Sequence, residues 1–83
     1  MRRSIDFAFD DHPAADDDKA RTAWVVAATD DCTACGDVRV EVSLEDEGAN
    51  GTGVAAHLTA ATARRLRAAL AAALREVGED PGP

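Results

Sequence analysis

The residues with the most chemistry in this 83-residue chain are Cys32, Cys35, His12 and His57, which are all of its cysteine and histidine. Cys32-Thr33-Ala34-Cys35-Gly36 sets two thiols three positions apart before a glycine. A tight turn at that spacing aims both sulfurs at one metal ion, and the glycine lets backbone amides approach the thiolates. A structural zinc site takes four ligands, and this turn supplies two. His57 is the residue expected to join Cys32 and Cys35, with Asp30, Asp31 or Asp37 as the fourth ligand. His12 is not, because an up-and-down run of strands puts its loop at the end opposite the cysteines. A seven-residue strand separates those ends by about 23 Å. A site of four cysteines, two from each of two copies, is the other closed arrangement. An inert, incidental pair that needs no cofactor is the simplest reading of Cys32 and Cys35, and zinc is the one cofactor they would otherwise suit.

Other chemistry is poorly served. The thiolate is the reactive form of cysteine and is favoured by positive neighbours or a helix N-terminus. Here Asp30, Asp31 and Asp37 surround the pair, and no helix follows Cys35. A Cys–His nucleophile would need Cys32 or Cys35 to meet His57 beside an orienting carboxylate, and no recognised local signature surrounds these residues. Gly48, Gly51 and Gly53 join strands and do not open a helix, so they build no phosphate site. Asp16-Asp17-Asp18 reads as a solvated charge run. No enzyme activity is expected.

Charge is uneven along the chain. Its formal net value is -7, yet residues 1–50 carry thirteen Asp/Glu against five Lys/Arg, while residues 51–83 carry three against four. Nucleic-acid and anionic-membrane contacts need clustered Lys/Arg, so neither partner is expected. No run approaches the roughly 20 apolar residues of a membrane span, and Met1-Arg2-Arg3 is not followed by the apolar stretch of a signal peptide. A cytoplasmic location is therefore expected.

The elements that must position these residues read as β-β-β-β-α, an α+β fold with a two-layer architecture. Ile5, Phe7 and Phe9 alternate with Asp6, Ala8 and Asp10, the period of a half-buried strand. Pro13 to Ala20 forms a solvated loop. Thr22 to Thr29 is apolar or small on both faces, with Trp24, Val26 and Ala28 on one and Ala23, Val25 and Ala27 on the other. Such a strand is central and covered on both sides. Val38, Val40, Val42 and Leu44 alternate with polar residues, and Val54 to Leu58 is a short fourth strand. Glu45 to Thr52 is a hairpin loop with positions at positive φ. Thr59 caps a helix whose Ala63, Leu66, Leu70, Ala73, Leu74 and Val77 fall in an arc of about 100°, and Gly78 ends it. Residues 1–78 form a single domain and residues 79–83 a disordered tail.

Leu58-Thr59-Ala60-Ala61-Thr62-Ala63-Arg64-Arg65-Leu66, continuing to Leu70, resembles the strand-to-helix ending of small actinobacterial proteins of unknown function. Ile5-Asp6-Phe7-Ala8-Phe9-Asp10-Asp11-His12, then Ala20-Arg21-Thr22-Ala23 and Gly51-Thr52-Gly53-Val54-Ala55, is similar in outline to a group of small actinobacterial stress-induced proteins. That resemblance implies a double-stranded-RNA-binding-like β-β-β-α shape and action near ribosomes, against which the acidity of the first fifty residues weighs.

One terminal helix covers only one side of the sheet, and a second copy is the simplest cover for the other. The leading expectation is thus a non-catalytic homodimeric interaction or regulatory module. Its contact residues would be Val25 and Ala27 on the back of the sheet, or Arg64, Arg67 and Arg75 on the helix, where intervening alanines permit close approach to a protein partner. A zinc-stabilised domain using the Cys32–Cys35 turn is the alternative. A further one is an acidic nucleic-acid mimic that blocks a basic groove.

Overall fold

A computed structural model of the chain describes residues 1–12, 20–30, 36–47 and 53–83. Four strands, β1 (Arg2–Phe9), β2 (Thr22–Asp30), β3 (Val38–Asp46) and β4 (Val54–Leu58), precede one helix, α1 (Ala60–Glu76). The strands form one antiparallel sheet in the order β1-β2-β3-β4, so each pairs with its neighbours in sequence. The expected α+β architecture is the observed one, and β2 is an interior strand as its two apolar faces require.

Residues directly opposite one another on paired strands share a face. Trp24 is opposite Leu44, and Leu44 is opposite Val54. Val26, Val42 and Ala56 make the next row, and Ala28, Val40 and Leu58 a third. This is the front face, toward which α1 turns its Leu66 and Leu70. The back face carries Ala23, Val25, Ala27 and Thr29 of β2, with Arg39, Glu41, Ser43 and Glu45 of β3 opposite them.

β1 departs from simple alternation. Its register shifts between Ser4 and Asp6, so Ser4 faces Ala27, Asp6 faces Val26 and Ile5 is the extra residue. A bulge of this kind exchanges the faces of everything beyond it. Ile5 and Asp6 both line the front, whereas Phe7 and Phe9 lie opposite Val25 and Ala23 on the back. The expectation of one stripe of Ile5, Phe7 and Phe9 is corrected here: the stripe is divided between the two faces.

The helix ends where its terminal residues dictate. Thr59 Oγ1 accepts the Thr62 amide at 3.3 Å, satisfying a donor of the first turn. Gly78 takes φ 80°, and its amide and that of Glu79 donate to the carbonyls of Arg75 and Leu74. This crossed pair of bonds closes the C-terminus. The segment after it, expected to be a disordered tail, runs back along the helix: Pro81 is half-buried, and Arg67 Nη2 donates to the Pro83 carbonyl at 3.4 Å.

Among the described residues only Ala27 and Thr29 are buried. The apolar residues expected to fill a two-layer core instead remain open, Ile5, Leu44, Val54 and the helix leucines among them. Gly53, placed by sequence in a loop needing positive φ, serves a different purpose. A Cβ there would stand 2.7 Å from the Leu44 carbonyl oxygen, where β4 starts against β3. Gly53→Ala should therefore lower stability by about 1–3 kcal/mol, the usual cost of overpacking against fixed backbone. Urea unfolding of the two proteins checks this, and equal midpoints would refute it.

Candidate functional site

The front face is four strands wide, and the helix stands off it: β4 is exposed from Val54 to His57, and the helix buries no residue of its own. Each strand occupies about 4.8 Å of sheet width, so a pair of strands matches the roughly 10 Å diameter of one helix. α1 comes within 8 Å, Cα to Cα, of β3 and β4 and of neither β1 nor β2. Between the helix and the sheet lies a cleft of about 780 Å³. Trp24, Val26, Val42 and Leu44 form its floor, Leu66 and Leu70 its helical wall, and Ile5 and Asp6 of the bulge its far side.

No residue of α1 is buried. Leu66, Leu70 and Leu74 are 40%, 61% and 39% exposed. Burying a leucine fully is worth about 1.5–3 kcal/mol, which is large beside the roughly 5–15 kcal/mol that holds a domain together. The chain as a whole is correspondingly open. Its radius of gyration is 15.1 Å, against about 12 Å for a compact domain of this length.

A second groove, of about 480 Å³, runs along the flank of the helix. Arg64, Arg67 and Arg75 line it above Ala68 and Ala71, and the returning Pro81–Pro83 segment forms one wall. The structure thus brings together the three arginines singled out by their spacing. Neither they nor Arg65 make an ion pair among the described residues, and no acidic residue occupies the first turn of α1.

The back face is divided by chemistry. At one end Arg2 Nε binds Glu41 Oε2 at 2.8 Å, and His57 Nε2 lies 3.4 Å from Glu41 Oε1. Glu41 is the register partner of His57, about 13 Å along β3 from Asp37. At the other end Phe7 and Phe9 meet edge to face at 5.4 Å, and Arg21 stacks 4.0 Å above the Phe9 ring. Arg21 also grips Glu47 with two bonds of 2.8 and 2.7 Å. Val25 is half-buried between these ends, while Ala27 is 1% exposed and offers almost no area of its own. The neighbouring apolar area belongs to Phe7, a residue the simple alternation of β1 assigns to the other face.

The expected metal site is represented by His57 alone, since Cys32, Cys35 and Asp31 lie outside the described residues. Asp30 Oδ1 is buried without a hydrogen-bond partner among the described residues, and Asp37 pairs with Arg39 at 2.6 Å. Among the described residues no group of three His, Cys, Asp or Glu side chains has metal-holding geometry. His12 closes the base of the β1–β2 connection, with Nε2 2.7 Å from the Ala20 carbonyl and Nδ1 3.3 Å from Asp10. No helix among the described residues is long and apolar enough to cross a membrane. The chain matches no protein-family model, no curated protein and no solved structure.

The Arg21–Glu47 pair has a pH signature. The hydrogen bonds from Arg21 hold the Glu47 carboxyl below the ordinary glutamate range. A carboxyl lowered in the folded state adds stability above its unfolded value and loses it as pH falls through the folded one. Because the pair is exposed, the contribution is small. In a carboxyl-detected NMR titration Glu47 should titrate below the ordinary glutamate range, and Arg21→Ala should return it there. A Glu47 value that ignores Arg21→Ala would refute this.

Proposed function

We propose that the chain is a non-catalytic interaction module that works as a homodimer, with the open front cleft as its contact surface. The observation that carries this reading is the helix without a buried residue, standing across an open cleft from an apolar sheet face.

A second copy is the occupant that fits because it brings what the first lacks. Each chain has an apolar sheet face without close cover and a leucine stripe without a close floor. Two such chains satisfy both needs through one two-fold arrangement, in which the same patch serves each partner. The back faces then point outward, and Phe7 with Val25 forms the apolar area left there for a different protein.

Sedimentation equilibrium at tens of micromolar should return twice the 8.7 kDa chain mass. Leu70→Asp should weaken association by about 2 kcal/mol or more while retaining the sheet, because Leu70 gains its burial only from the partner. A monomeric wild type at a hundred micromolar, or a Leu70→Asp dimer as tight as wild type, would overturn the reading.

A further inference from the structure

The groove on the flank of α1 is separate from the front cleft: Arg64, Arg67 and Arg75 line it, and none of them lines the cleft. At about 100° per residue, Arg64, Ala68, Ala71 and Arg75 fall within an arc of about 60°, with Arg67 about 60° to one side of Arg64. Cations stand at the two ends of this row, and alanine methyls form the floor between them. Ala71 is half-buried there. Among the described residues no Asp or Glu lines the groove.

The second wall is built by the chain beyond the helix. Gly78 at φ 80° turns the backbone, and Asp80 Oδ1 accepts the Gly82 amide at 2.9 Å. Gly82 itself takes φ 83°, a left-handed conformation that a β-carbon resists. Arg67 then donates to the Pro83 carbonyl. Arg67 is therefore a brace for this wall, and Arg64 and Arg75 remain as the charges open to a ligand. Neither guanidinium makes a hydrogen bond or an ion pair among the described residues. Arg64 also stands about one turn from the start of α1, where the helix dipole opposes a cation and welcomes an anion beside it.

Spacing narrows the ligand. Arg64 and Arg75 are eleven positions apart, about 16 Å along the helix axis. A single phosphate or sulfate is too small to touch both. In an extended peptide, side chains four positions apart share a side and stand about 13 Å from one another. The flexible arginine side chains close the remainder. We infer that this groove takes an extended acidic segment of a partner protein, with carboxylates four positions apart on Arg64 and Arg75 and small residues over Ala68 and Ala71. A nucleic acid is the poorer fit. It would bring a charge with every nucleotide against a chain of net charge -7, whereas this segment sets its charges only where the arginines are. The inference goes beyond the homodimer reading and does not depend on it.

The peptide Ser-Glu-Ala-Pro-Ala-Glu-Ser, titrated into the labelled full chain and followed by amide NMR shifts, tests this. Shifts should gather between Arg64 and Arg75 and at Gly82, and should saturate by about 5 mM peptide. Arg64→Gln together with Arg75→Gln should loosen binding roughly tenfold. Arg65→Gln removes a charge outside the groove and should change it less than about twofold. Gly82→Ala keeps every arginine but strains the wall, so it should loosen binding severalfold. A peptide of the same composition with its glutamates adjacent should bind more weakly than the spaced one. Far-UV circular dichroism checks that each variant keeps its helix. The inference is overturned if no shift saturates by about 10 mM, if Arg65→Gln costs as much as the double change, or if Gly82→Ala binds like wild type. It is overturned as well if a single-stranded oligonucleotide shifts the same amides at lower concentration. A monomeric wild type that binds the peptide overturns the homodimer alone, and a dimer that ignores the peptide overturns the groove alone.

Discussion

A sheet of four strands is about twice as wide as the helix that follows it, and the rest of this structure depends on that mismatch. The sheet is continuous and hydrogen-bonded from β1 to β4, so its front face cannot be narrowed. Its rows from Trp24 to Val54 and from Val26 to Ala56 are apolar across β2, β3 and β4. The one helix nears only β3 and β4 and buries no residue of its own, so water meets the apolar floor. Small domains already bury a smaller fraction of their surface than large ones. A chain of 83 residues that leaves this face open gives up much of the little it has.

Much of this architecture is legible in the residues. Thr59 and Gly78 mark the ends of the helix because each performs a local task, a hydroxyl accepting an amide and a backbone at positive φ. β3 shows itself through strict alternation, and β2 through apolar residues on both sides, the mark of an interior strand. The bulge in β1 is not legible in the same way. Ile5, Phe7 and Phe9 alternate as regularly as any strand, and a single unpaired residue alters register without altering composition. It shows only when β1 is laid against β2.

The candidate surface was legible in part and for a similar reason. Spacing alone groups Arg64, Arg67 and Arg75, because side chains three, eight and eleven positions apart return to one side of a helix. Periodicity also identifies the leucine stripe. What it leaves open is how much floor the stripe meets, since coverage depends on the number of strands compared with the number of helices. Counting four against one is the signal that points to the front face. Attention to Val25 and Ala27 led to the back, where Ala27 is already enclosed by its own sheet. The pairing of His57 with Glu41 was hidden too, because cross-strand neighbours depend on register and not on distance along the chain.

The bulge has one more consequence, for the rim of the sheet. β1 is an outer strand, and an outer strand with free backbone groups invites further strands to join it. The unpaired residue at Ile5 interrupts the straight row of donors and acceptors, and Arg2, Arg3 and Asp6 set charges beside it. The opposite rim, β4, is five residues long. Both margins are thus poor templates for a strand from another chain, whereas an open margin can add strand after strand without end. The irregularity that hides β1 from simple pattern reading also steers the molecule away from fibres.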